Sequence, residues 1–178
     1  MDFTNLYVGF KKNKNEVDLN KLKRFKIEIN AIIDKLVEYL CIHIEKQIEA
    51  GADVVQIFDS WAGLIPPAKL QNFCYNPNYK IVEFCKRKGI PTICFPRGLD
   101  KNYLKFNEIV KPDGINLDYN LDPIWAKQKL TNVAIQGGLN PQTLLKPEKE
   151  MYNEAKKYLD TFKNVPYIFN LGHGLVPE

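Results

Sequence analysis

The feature that most constrains this chain is a repeated change of period: short apolar runs, bounded by glycine, proline or aspartate, give way to longer segments with helical spacing. Residues 53–58, 92–95, 114–118 and 132–136 each read as a strand. A helical segment over residues 18–50 precedes the first of them. In it Ile32, Leu36, Leu40, Ile44 and Ile48 recur every four residues, Asn30 marks a point where the helix can break, and Gly51 stands where a terminating glycine belongs. Between strands the spacing predicts helices over roughly 68–88, 99–110, 122–130 and 147–162, the first open to interruption at residues 76–78 (AsnProAsn). A last apolar run at Ile168, Phe169 and Leu171 predicts a fifth, buried strand that empties into Gly172, His173 and Gly174.

Strict alternation with short linkers implies a parallel sheet, because parallel neighbours need a crossover and a helix usually supplies it. A closed (β/α)8 barrel and an open doubly wound sheet both fit. The strand ends favour the barrel: Asp59 and Ser60, Arg97, Asp118, Gly137 and Gly138, and His173 follow successive strands, and a barrel gathers all such loops into one mouth. An open sheet would concentrate them at a single switch point. A full barrel typically needs about 250 residues, and 178 residues with five strands read as one partial α/β barrel domain, about strands 4 to 8, lacking its beginning and its final helix.

Composition excludes several classes. With 45% hydrophobic and 26% charged residues the chain is globular rather than fibrous or disordered. No apolar run reaches the roughly 18 residues of a membrane span, and the start lacks the order of a signal peptide, so the expected location is cytoplasmic with no membrane partner. The net charge is +4, but arginine occurs only at positions 24, 87 and 97, and the lysines are interspersed with Asp and Glu. That pattern argues against nucleic acid as a partner. Cys41, Cys74, Cys85 and Cys94 form no CxxC pair, so neither a zinc knuckle nor a disulfide framework is expected.

The glycines beside His173 remove Cβ bulk and permit positive φ, which lets backbone N–H groups approach a ligand; His173 is read as a hydrogen-bond donor or proton carrier facing that ligand. His43, inside a helix, is read as structural. Gly137 and Gly138 are either a plain tight turn or a pair of exposed N–H groups for an anion. Ser60 lacks a GxSxG elbow and triad partners, and suits an anion-binding hydroxyl better than a nucleophile. Asp59 fits either a turn cap or an acid–base group, and Arg97 either a solvated loop or a carboxylate or phosphate site. No GxGxxG, P-loop or metal-ligand spacing is present.

Three segments carry a resemblance: IlePheAspSerTrpAlaGly at 57–63, GlnGlyGlyLeuAsnPro at 136–141, and PheAsnLeuGlyHisGlyLeuValProGlu at 169–178. In order and spacing they resemble the uroporphyrinogen decarboxylase family of haem biosynthesis, over the chain from about residue 17 onward. The resemblance implies a (β/α)8 barrel, homodimeric, that decarboxylates the four acetate side chains of uroporphyrinogen III to give coproporphyrinogen III with no metal or organic cofactor. The substrate's own pyrrole takes up a proton and acts as the electron sink. Carried onto this chain, Phe58 lines the macrocycle's cleft, Ser60 donates to a side-chain carboxylate, His173 contacts a substrate carboxylate, and Gly172 and Gly174 let the backbone approach. Tyr7 is set against the family's active-site tyrosine, although the apolar segment that should precede it is absent.

The family's ArgGlnAlaGlyArg motif and its pyrrole-gripping aspartate are found nowhere in the 178 residues. They are expected to lie upstream of Met1, which leaves no catalytic residue in this chain and implies that it is inactive alone, or that it works with a complementing N-terminal fragment. Two alternatives remain: a non-catalytic tetrapyrrole-binding or dimerisation remnant, and a corrinoid-dependent methyltransferase-like barrel. The zinc-binding His and Cys cluster of the latter has no HisxCys counterpart here.

Overall fold

The computed structural model describes residues 26–175; Tyr7 lies outside them. The order of elements is α1 (Lys26–Glu49), β1 (Val55–Asp59), α2 (Asn76–Arg87), β2 (Thr92–Pro96), α3 (Tyr103–Val110), β3 (Gly114–Leu117), α4 (Pro123–Lys129), β4 (Ala134–Gly137), α5 (Glu148–Phe162) and β5 (Tyr167–Ile168). All four ladders are parallel and the sheet order is β1-β2-β3-β4-β5. Sequential order contains no reversal, so the sheet has no switch point, and right-handed crossovers put every helix on one face.

Strand alternation then sorts the side chains. Cys94, Ile115, Leu117 and Ile135 face the helices and are buried with Phe73, Ile81, Val82, Phe106, Val110 and Phe162 in one core. Gln56, Phe58, Phe95, Asn116 and Gln136 fall on the other face, in register across the strands. One bond there measures the curvature. Gln136 Nε2 donates to Asn116 Oδ1 at 2.8 Å and to Gln56 Oε1 at 3.3 Å. In a flat sheet β1 and β4 stand roughly 14 Å apart, three strand spacings, too far for two amide side chains to meet. The sheet is therefore an arc of a barrel, as the distribution of loop residues predicts, and the amides lie in its concave face.

Three local expectations are corrected. In α1 the helix runs unbroken through Asn30; Ile33, Val37 and Ile44 are buried and Leu36, Leu40 and Ile48 pack beside them, while Ile32 is 45% exposed. A strict four-residue repeat advances about 40° per step against 3.6 residues per turn, so the set drifts around the helix and its first member, Ile32, falls outside the buried face. The interruption in the next helical segment is a π-helical turn at Gln71–Tyr75, and α2 begins at Asn76 with Pro77 in its first turn. Proline has no N–H and clashes with the carbonyl four residues back, and the widened turn accommodates it. Finally, β5 is not a buried strand: its ladder covers Tyr167–Ile168, Ile168 and Phe169 are each 46% exposed, and pairing resumes only at the Leu139–Leu171 bridge. Among the described residues the strand is an edge, with one neighbour. Beside it Leu144, Met151, Tyr152, Ala155 and Phe169 line an apolar groove of about 720 Å³.

Candidate functional site

The loops that leave the C-terminal ends of the strands are bound to one another in two groups. On the β1–β2–β3 side, Arg97 N–H donates to Asp59 O (3.1 Å) and Gly63 N–H to Arg97 O (2.9 Å). The backbones meet so closely that a Cβ on Gly63 would lie 2.4 Å from Gly98 O. Asp118, buried at the end of β3, accepts from Gly98 N–H (3.1 Å) and Asn120 N–H (2.9 Å). Arg97 Nε lies 3.9 Å from the same carboxylate.

On the β4–β5 side the joints are phenols. Tyr158 donates to Gly138 O (2.7 Å) and Tyr167 to Gly137 O (2.8 Å), with Tyr167 stacked on Phe162 at 4.5 Å. Burial raises both phenols above their ordinary pKa, so they remain donors across the neutral range. Gly137 and Gly138 sit at φ +76° and +94°, where a Cβ would strike Asn116, Leu171 and Tyr158. Both are buried, so the tight-turn reading fits and that of exposed anion-binding N–H groups does not. The turn carries Leu139 to its bridge with Leu171 and to the bond from Gly172 N–H (2.7 Å), and so sets the position of His173.

Each residue expected at the site has a definite place. Phe58 is 63% exposed on the concave face and meets Phe95 edge-on at 6.2 Å. Ser60 follows it at the mouth, half-buried. Asp59, between them, points the other way by strand alternation: it is 3% exposed and accepts from Asn78, which also bonds Cys74 O. The carboxylate thus holds the π-turn against β1, and the acid–base reading is replaced by a structural one. Gly172 and Gly174 do not adopt positive φ. Gly172 is glycine because a Cβ would come within 2.5 Å of Tyr119 N, so its close approach is to protein backbone; Gly174 has open space around it.

His173 is half-buried, with Nδ1 3.2 Å from Gly174 O and no hydrogen bond to Nε2 among the described residues. If Nδ1–H makes that bond, Nε2 can offer a proton to a ligand only when the ring carries both protons. Phe58 and Ser60 lie at one end of the arc and His173 at the other, four strand spacings or roughly 19 Å along the sheet. His43 is exposed on α1 beside Gln47. The cysteines Cys74, Cys85 and Cys94 are buried behind the sheet, where burial raises their thiols, Cys85 to about 11. Among the described residues no group of three or more His, Cys, Asp and Glu could hold a metal ion, and no helix is long and apolar enough to cross a membrane.

The model of the family described as uroporphyrinogen decarboxylase (URO-D) matches residues 9–178. The chain belongs to the uroporphyrinogen decarboxylase family. It is 43% identical over 150 residues to a uroporphyrinogen decarboxylase of Orientia tsutsugamushi (strain Ikeda), covering 82% of this chain and 44% of that protein. It is 34% identical over 171 residues to one from Cereibacter sphaeroides (strain ATCC 17029 / ATH 2.4.9), covering 93% and 50%. Against one from Wolbachia sp. subsp. Drosophila simulans (strain wRi) it is 37% identical over 152 residues, covering 84% and 45%. The chain therefore spans about half the length of the uroporphyrinogen decarboxylases it matches. Two features of the mouth escaped the reading of the sequence: the Asp118 staple, and the paired phenols of Tyr158 and Tyr167.

Proposed function

We propose that this chain forms the substrate-gripping half of a uroporphyrinogen decarboxylase, which converts the acetate side chains of uroporphyrinogen III to methyl groups. The observation that carries the reading is Phe58, a ring left 63% exposed on the concave face of a barrel arc in a chain of this family. An exposed aromatic there supplies a flat apolar surface for a macrocycle, and polar groups around the mouth suit its rim of carboxylates.

In the proposed chemistry a proton adds to a pyrrole carbon and makes the ring cationic. The bond between the acetate methylene and its carboxylate then breaks, its electron pair neutralises the ring and carbon dioxide leaves. A second proton adds to the methylene to complete the methyl group, and the first proton leaves the ring carbon to restore the pyrrole, a net uptake of one proton per carbon dioxide. The protein's task is to hold the polyanion and stabilise the developing cation. Ser60 donates its hydroxyl to one side-chain carboxylate. His173 donates a ring N–H to another, while the open space at Gly174 lets the ligand reach the ring. Gly172 contributes by holding the loop against Tyr119, and Tyr7 remains a proposed contact. The family's ArgGlnAlaGlyArg motif and pyrrole-gripping aspartate do not occur in the 178 residues, so the chain by itself is expected to bind but not to turn over. The free edges of β1 and β5 in the described arc support a partner, either a second copy or a complementing chain. Four free cysteines suit a reducing cytoplasm.

Binding of uroporphyrin to the purified chain, together with coproporphyrinogen formation from uroporphyrinogen, tests this. Tight binding without turnover is expected; failure to bind rejects the substrate, and substantial turnover rejects the division of labour.

A further inference from the structure

The pair at the junction of β1, β2 and β3 is arranged for more than its own salt bridge. Both oxygens of Asp118 already accept a backbone N–H, from Gly98 and from Asn120. Arg97 stands 3.9 Å from Oδ2, beyond hydrogen-bond range, so it is held by charge and not by a bond. Its side chain is only 25% exposed, that of Asp118 6%. Its backbone is fixed on both sides by Asp59 O and Gly63 N. A guanidinium carries five donors in a planar fork, and among the described residues no hydrogen bond engages any of them. Those donors are free to take an acceptor, and a carboxylate fits that fork in a bidentate manner. Phe95, two residues earlier, is the ring that meets Phe58, so cation and aromatic surface adjoin.

We propose that Arg97 is a carboxylate-binding residue of the mouth and that Asp118 positions it. The inference rests on the tetrapyrrole reading above and adds to it the cation that takes a peripheral carboxylate. Asp118 lies inside the staple and fixes the charge of Arg97 in place while leaving its N–H groups open.

The test is titration of the 178-residue chain with uroporphyrin, followed by quenching of tryptophan fluorescence, and a parallel calorimetric titration with benzenehexacarboxylate. Arg97→Ala is expected to weaken uroporphyrin about tenfold or more, Arg97→Lys to recover part of the loss, and the thermal midpoint to stay near that of the wild type. The wild type's affinity should fall more steeply with salt than the variant's, since one screened charge pair has gone. Asp118→Asn should weaken binding less, and adding it to Arg97→Ala should weaken it no further, because Asp118 acts through Arg97. Should Asp118→Asn fail to fold, Asp118→Glu, which keeps the charge but moves it, reads the same coupling. Unchanged uroporphyrin affinity in Arg97→Ala, an identical salt slope, or additive losses would overturn the proposal. If the wild type binds benzenehexacarboxylate through Arg97 but ignores uroporphyrin, the tetrapyrrole reading fails and this inference stands; binding of neither rejects both.

Discussion

On the β1–β2–β3 side of the mouth the loops are joined through a carboxylate, and on the β4–β5 side through two phenols. Asp118 binds backbone N–H groups, whereas Tyr158 and Tyr167 bind backbone carbonyls. The signs differ as well. The first joint is an anion that attracts a cation to the mouth, and the second is neutral and needs no counter-charge. The difference separates recognition from support: Arg97, with its donors open, belongs to the charged half, while the phenols of the neutral half fix the path of the chain toward His173.

The largest effects should come from the glycines on which each half closes. A Cβ on Gly63 would lie 2.4 Å from Gly98 O, and one on Gly172 2.5 Å from Tyr119 N. Because the obstruction is backbone in both cases, Gly63→Ala and Gly172→Ala should each destabilise by about 3 kcal/mol, measured by urea denaturation. A loss under about 1 kcal/mol at either would mean that its half is looser than described. Next come Tyr158→Phe and Tyr167→Phe, each leaving a buried carbonyl without its donor at about 1–2 kcal/mol. Since both hold one turn, their double variant should differ from the sum of the singles, and strict additivity would break the claim of a shared joint.

A smaller change is expected far from the mouth. Asp113 accepts from Thr92 N–H at 2.8 Å and from its hydroxyl at 3.3 Å at the opposite end of the sheet. Asp113→Asn should cost about 1 kcal/mol and leave uroporphyrin binding as it was; weakened binding there would show that the two ends are coupled. Smallest at neutral pH is the alkaline effect. Burial raises Cys85 from 9.0 to about 11, so the folded state holds this proton more tightly than the unfolded chain. Its contribution is complete below about pH 9 and is lost as the pH rises through about 11. The urea midpoint should be flat to pH 9 and then decline, less steeply in Cys85→Ala.

Much of this architecture was legible in the sequence because it depends on period. Short apolar runs alternating with helical spacing specify parallel strands, and residues such as Asp118 and Arg97 standing just past those runs specify a mouth. The polarity of Asn116 and Gln136 within apolar strands is a visible sign of a face that does not meet helices. What stayed hidden depends on approach between distant segments. That Gly172 makes room for Tyr119, and Gly137 for Asn116 and Leu171, cannot be read locally, and a glycine beside a histidine suggests a ligand more readily than a neighbouring loop. The reversed direction of Asp59 was within reach, since alternation from Phe58 dictates it. Edge exposure at β5 follows from what lies beside a strand, which its own residues do not record.

The bond from Gln136 to Gln56 spans 80 positions along the chain. Loop closure over that distance is entropically unfavourable until the intervening βα units have docked, and contacts of such separation belong to the slow part of folding. This amide contact across the arc should therefore form late, after the local helix and strand pairs, and a probe placed at Gln56 would report when the curved face, and with it the binding surface, has been assembled.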